Sequence, residues 1–156
     1  MNQLRRTFLK GTSAAGTVAV AIAAGLLKPG QVLAAEWNKS AFDAKSLADT
    51  LKHMGAVSPA DSKDITIKAP DIAENGAVVP VEVTSKIAGT QNISIMAEKN
   101  ANPLIADFAL SNGAEGYVST RIKMGQTSNV KVIVKAGGKF YTASKEVKVT
   151  IGGCGG

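Results

Sequence analysis

Val130-Lys131-Val132-Ile133-Val134-Lys135-Ala136-Gly137-Gly138-Lys139-Phe140-Tyr141-Thr142-Ala143 is the stretch that decides the fold class. Val130, Val132 and Val134 alternate with lysines, the period-2 pattern of a strand with one buried face. Gly137-Gly138 reads as a hairpin turn, and a strand-like run resumes at Phe140. The same pattern recurs on both sides. Ile65-Thr66-Ile67-Lys68 alternates and stops at Pro70. Ala77 to Thr84 comes after the turn signal Asn75-Gly76 and places Val79, Val81 and Val83 on one face. Pro80 within it has no N–H to donate and points to an edge strand or a bulge. Ile93, Ile95 and Ala97 alternate next, then Leu104 to Leu110 behind Pro103, then Tyr117 to Met124 with Val118, Thr120, Ile122 and Met124 in alternation. Phe140 to Ala143 and Val147 to Ile151 make the last one or two strands. About seven short strands with turn signals between them fit an all-β fold, an immunoglobulin-like antiparallel β-sandwich. The label is architectural, because a chain with one cysteine lacks the Cys–Trp–Cys core of antibody domains. Val147, Val149 and Ile151 are expected to face the core and to anchor the C-terminal residues beyond them.

One N-terminal helix is expected before the strands. Ser40 reads as its N-cap, with Asp43 in a capping-box-like position. Ala44, Leu47, Ala48, Leu51 and Met54 recur at helical spacing, and Gly55 reads as the C-cap. Trp37 and Phe42 are placed to anchor this helix to the domain. Ala56 to Lys63, with Ser58-Pro59 and Asp61-Ser62, reads as a loop.

The chain opens with Leu4-Arg5-Arg6-Thr7-Phe8-Leu9-Lys10, a weakly apolar run from Gly11 to Leu27, and a small-residue cleavage signal at Val32-Leu33-Ala34. This is the layout of a cleaved signal peptide over residues 1–34. The pair Arg5 and Arg6 resembles the twin-arginine export signal, with Leu4 where a Ser or Thr is usual. The apolar run is short of the roughly 20 residues of a membrane span, so no membrane anchor is expected in the mature form. The net charge of +6 comes from 18 basic and 12 acidic residues. Loss of Arg5, Arg6, Lys10 and Lys28 with the leader leaves 14 against 12, a net +2. The remaining lysines are spread along the strands, and nothing resembles a nucleic-acid surface. The expected organisation is a leader (1–34), a helix plus β-sandwich domain (35–151) and a carrier tail (152–156). A domain of about 120 residues has room for a core without disulfides.

The tail is Gly152-Gly153-Cys154-Gly155-Gly156, and Cys154 is the only cysteine. Paired glycines make a thin and mobile arm, in which a larger residue adds bulk and restricts the backbone. Cys154 is not core packing. In an oxidising compartment a lone thiol is free for chemistry or pairs between molecules. No helix N-terminus, imidazole or second cysteine lies near it in sequence, so it should titrate near the ordinary value of about 8.5. Activation must then come from a partner's pocket or from an activated substrate.

Nothing else in the chain offers a reaction centre. His53 is the only histidine and reads as a solvent-facing residue near the helix end. No His/Cys/carboxylate cluster suggests a metal, no Gly-rich loop after a strand is placed to cradle phosphate, and Ser119 and Ser144 have no evident His partner. No cofactor and no catalytic residue on this chain are expected.

The twin-arginine leader, the β-sandwich and the terminal Gly152-Gly153-Cys154-Gly155-Gly156 together resemble the SoxY family, the sulfur-carrier subunits of the periplasmic Sox thiosulfate-oxidation system. The segment Ala69-Pro70-Asp71-Ile72-Ala73-Glu74-Asn75-Gly76-Ala77-Val78-Val79-Pro80-Val81 is also similar to that family. The resemblance covers essentially the whole chain. It implies that Cys154 carries the substrate as a cysteine S-thiosulfonate and that the chain is not itself an enzyme. It implies several partners: a SoxZ-like β-sandwich subunit in a heterodimer, a haem enzyme that couples thiosulfate to the thiol, a manganese-dependent hydrolase that releases sulfate, and in some organisms a sulfur dehydrogenase. Val78 to Val83 is one candidate face for the second subunit. Two other readings remain: an exported structural or interaction β-sandwich with a cross-linking terminal cysteine, and a thiol redox protein, which would normally carry a resolving cysteine.

Overall fold

The computed structural model describes residues 37–151 apart from Asn112. Arg5, Arg6 and the rest of the leader lie outside the described residues, as do Cys154 and its glycines Gly152, Gly153, Gly155 and Gly156.

Two sheets face each other across one core. The strands are β1 (Ala60–Asp61), β2 (Ile65–Lys68), β3 (Ile72–Ala73), β4 (Val79–Ser85), β5 (Thr90–Ala97), β6 (Leu104–Ala109), β7 (Tyr117–Ile122), β8 (Ser128–Ala136) and β9 (Lys139–Val149). The larger sheet runs β1-β9-β8-β5-β6, with β3 also on β9; the smaller runs β2-β4-β7. This is the all-β sandwich expected. Pairing is antiparallel except for the short β1 and β3, which run parallel to β9. Both are two residues long, too short to leave a periodic mark in the sequence. What reads as one or two strands after Gly137-Gly138 is one strand of 11 residues. Its hairpin with β8 closes between Ala136 and Lys139 on two glycines that both have positive φ, 55° and 74°, the turn geometry that matches strand twist.

The alternating valines meet as predicted. Val79, Val81 and Val83 of β4, Ile93, Ile95 and Ala97 of β5, and Val130, Val132 and Val134 of β8 are all fully buried in one cluster. Pro80 departs from expectation, because β4 is the central strand of its sheet and no bulge interrupts its pairing with β7. The register explains why proline is tolerated. β2 reaches β4 only at Lys68↔Glu82, so at Pro80 the strand has a neighbour on one side alone. Of the segment Val78 to Val83, Val79, Val81 and Val83 turn into the core, while Val78 and Pro80 are exposed and Glu82 is half-buried.

The single helix is in fact two, α1 (Lys39–Asp43) and α2 (Leu47–His53). Asn38, not Ser40, caps α1 by accepting from the Ala41 N–H. Ala44 is extended (ψ 140°), and Ser46 caps α2 by accepting from the Asp49 N–H. The capping-box-like pair is therefore Ser46 and Asp49, further along the chain than Ser40 and Asp43, with the Ser46 hydroxyl donating to the Asp49 carboxylate. In α1, the Lys39 ammonium hydrogen-bonds Asp43 and holds its carboxyl below the usual carboxylate range. Gly55, at φ 71°, closes α2: its N–H meets the Lys52 carbonyl, and the Ala56 N–H meets that of Leu51. The helix pair packs on the outer face of the larger sheet. Met96 and Ile133, the out-of-phase residues of β5 and β8, are buried there with Ala41, and the partly buried Phe42, Leu47, Leu51 and Met54 pack against them. Phe42 anchors the pair; Trp37 does not, being 69% exposed and stacked on the Phe42 ring.

Candidate functional site: the root of the tail

The last described residues are held from both sides. On one side β9 pairs with β8 as far as Ser128↔Val147. Beyond that point the Thr127 hydroxyl takes over, accepting from the Val149 N–H at 2.9 Å. On the other side β3 pairs Ile72↔Lys148 and Ala73↔Val149. The Lys148 N–H donates to the Asp71 carbonyl (2.9 Å) and the Thr150 N–H to that of Ala73 (3.1 Å). The Thr150 hydroxyl donates to the Glu74 carbonyl at 3.0 Å. Gly76 makes the last tie: its N–H donates to the Ile151 carbonyl (2.9 Å), while its own carbonyl accepts from the Met124 N–H (2.7 Å). Further back, the Lys145 ammonium donates to the Ala69 carbonyl (2.6 Å) and pairs with Asp71 (3.0 Å).

The anchor expected of Ile151 is thus real in its backbone and wrong in its side chain. Val147 is fully buried and Val149 half-buried, but Ile151 is 69% exposed. β8 has already ended at this level, so its side chains do not flank Ile151. The segment 71–76 does the holding, through main-chain hydrogen bonds that carry no periodic sequence signal.

The other candidates stay apart. His53 is exposed at the end of α2, as expected, and its carbonyl accepts from Asn38. Ser119 and Ser144 are exposed on β7 and β9 and make no hydrogen bond to His53. Among the described residues no three His, Cys, Asp or Glu side chains are grouped to hold a metal ion.

Fold and root together define a class: a two-sheet β-sandwich whose last strand is fixed in place to within three residues of the chain's single cysteine. The chain belongs to the SoxY family. The family model for the sulfur oxidation protein SoxY matches residues 51–154, a span that ends on Cys154. Among solved structures, the sulfur carrier protein SoxY from Chlorobium limicola f thiosulfatophilum is 46% identical, with a TM-score of 0.61 over 68% of this chain and 97% of that one. A superoxide reductase (neelaredoxin) from Ignicoccus hospitalis is more distant, at 21% identity and a TM-score of 0.49 over 55% of this chain and 79% of that one. A comparison with curated proteins returned no match.

Proposed function

We propose that this chain is a periplasmic sulfur carrier, exported by the twin-arginine route, whose Cys154 holds thiosulfate-derived sulfur while partner enzymes oxidise it. The observation that carries this reading is the family match, which runs through to Cys154, together with a 46%-identical relative that is a sulfur carrier. The clamped end of β9 supports it, because a rigid root gives a short tail a defined point of departure.

The chemistry balances around one sulfur atom. A haem enzyme couples the Cys154 thiol to thiosulfate, forming an S–S bond and a cysteine S-thiosulfonate; one proton is released and two electrons leave to the haem enzyme. A manganese-dependent hydrolase then adds water across the bond to the terminal sulfonate, releasing sulfate and two protons and leaving a persulfide anion on Cys154. A sulfur dehydrogenase oxidises that remaining sulfane sulfur where such an enzyme is present. The chain itself contributes the thiol and the domain that presents it, and a SoxZ-like β-sandwich subunit completes a heterodimer.

Intact-mass spectrometry of the protein taken from the periplasm tests this. The unsubstituted chain should carry sulfur or thiosulfate-derived additions that a reductant removes, and Cys154→Ser should carry none while remaining folded. Disulfide dimers without sulfur adducts would refute the carrier reading and leave a cross-linking β-sandwich. Normal thiosulfate turnover by Cys154→Ser would refute it as well.

A further inference from the structure

The bond from Gly76 to Ile151 ties up a nitrogen with chemistry of its own. Asn75-Gly76 is one of two Asn-Gly pairs in the chain, the other being Asn112-Gly113. In such a pair the amide nitrogen that follows asparagine can attack the asparagine side-chain amide. Glycine has no side chain, so it leaves that nitrogen unshielded. Asparagine counts among the thermolabile residues. Asn75 is exposed, so water and base reach its side chain, whereas Gly76 is buried.

Both reacting groups are engaged in the fold. The Gly76 N–H donates to the Ile151 carbonyl at 2.9 Å. The Asn75 side-chain carbonyl accepts from the Ala77 N–H at 2.8 Å, an Asx turn that fixes the side chain. The Gly76 carbonyl is held too, accepting from the Met124 N–H at 2.7 Å. The Gly76 nitrogen becomes a nucleophile only by losing its proton, and that proton is given to Ile151. Ile151 lies two residues past the end of β9. A bond beyond the end of a strand opens more readily than one inside the sheet.

We propose that Asn75 is a latent deamidation site, held shut by the hydrogen bond from Gly76 to Ile151, and that release of the root of the tail starts its conversion to aspartate and isoaspartate. The step needs no oxidant or reductant. Hydroxide or a buffer base takes the Gly76 amide proton, and the nitrogen bonds to Asn75 Cγ. The Cγ–Nδ2 bond breaks, and the departing nitrogen takes a proton back and leaves as ammonia. The product is a succinimide ring, which water then opens. Cleavage of the new N–Cγ bond gives aspartate. Cleavage of the original peptide bond gives isoaspartate, whose main chain runs through Cβ and Cγ. That extra main-chain carbon displaces Gly76 from its partners on Ile151 and Met124, so conversion to isoaspartate keeps the root open. The proposal stands apart from the carrier reading, because it involves no atom of Cys154.

The test is peptide mapping by mass spectrometry of the full chain, incubated at mildly alkaline pH, with hydrogen exchange at Gly76 read on the same sample. In the folded unsubstituted chain Asn75 should convert about a hundredfold or more slower than in the chain unfolded in urea. Equal rates in the two states overturn the proposal. Thr150→Pro deletes the Thr150 N–H bond to the Ala73 carbonyl and the hydroxyl bond to the Glu74 carbonyl, and leaves Asn75, Gly76 and Ala77 unchanged. Losing both bonds should speed exchange at Gly76 and conversion at Asn75 together, by about tenfold or more. Thr150→Val, which loses the hydroxyl bond alone, should give a smaller rise in the same direction. Conversion at Asn112, whose pair with Gly113 lies between β6 and β7, should keep its rate in both variants. A rate at Asn75 that stays at the unsubstituted value in both variants overturns the proposal, whether or not Gly76 exchanges faster. A rise at Asn112 equal to that at Asn75 in both variants assigns the protection to the fold as a whole and overturns the role of Ile151.

Discussion

At the root, Thr127 does what a strand partner does elsewhere in the sheet. β8 starts at Ser128, so the Val149 N–H would face an empty position without the Thr127 hydroxyl 2.9 Å away. Losing an acceptor from a half-buried donor costs about 1–2 kcal/mol, while a Thr→Val change keeps the side-chain shape. Thr127→Val is therefore expected to destabilise the domain by that amount, read as a lower urea midpoint with an unchanged slope, and to speed hydrogen exchange at Val149. Unaltered exchange at Val149 would show that β3 alone holds the end of β9. Gly76 is the complementary tie, buried and bonded in both directions to Met124 and Ile151. Neither residue is conspicuous in the sequence. Cys154 is, because it is unique and set among glycines. The residues that fix its point of departure work mostly through main-chain groups that any side chain could carry.

Among the elements, α2 rests on its cap. Ser46 accepts from the Asp49 N–H at 3.1 Å and donates its own proton to the Asp49 carboxylate at 2.7 Å. Ser46→Ala should cost about 1 kcal/mol, read as a lower melting temperature, whereas Ser40→Ala, within α1 and away from any cap, should leave it nearly unchanged. Equal effects of the two would restore the single helix. The two serines mark the limit of what local spacing can decide. Ser40-Ala41-Phe42-Asp43 and Ser46-Leu47-Ala48-Asp49 carry the same spacing, but Asn38 takes the cap of α1 ahead of Ser40, while Ser46 caps the helix whose Leu47, Leu51 and Met54 pack with Met96 and Ile133. The sandwich strands were legible because Val79, Val81 and Val83, and Val130, Val132 and Val134, place a large apolar surface on one face, and burial of that face overrides local detail. β1 and β3 were not legible, since two residues have no period and their pairing depends on the far end of the chain. Pro80 was misleading for the same reason: its tolerance comes from where β2 stops, a property of a neighbouring strand.

For the whole molecule, the separation of body from tail turns on where the last tertiary hydrogen bond falls. The bonds from Val149 to Thr127, from Thr150 to Ala73 and Glu74, and from Gly76 to Ile151 all lie beyond Lys148. They tie the 71–76 segment to β9, and through Gly76 to Met124, two residues past the end of β7, they link the larger sheet to the smaller. A chain stopped after Ile151 retains every one of them, whereas a chain stopped after Lys148 loses them together. The shorter chain is expected to be less stable by about 2–3 kcal/mol, since each net hydrogen bond contributes about 1 kcal/mol and neighbouring bonds are not strictly additive. Urea unfolding of the two truncated chains measures the difference. The loss should be accompanied by faster exchange at Gly76, because its carbonyl partner belongs to Ile151. Equal midpoints would place the boundary between body and tail before Val149, which would lengthen the arm by three residues and extend the reach of Cys154 by roughly 10 Å.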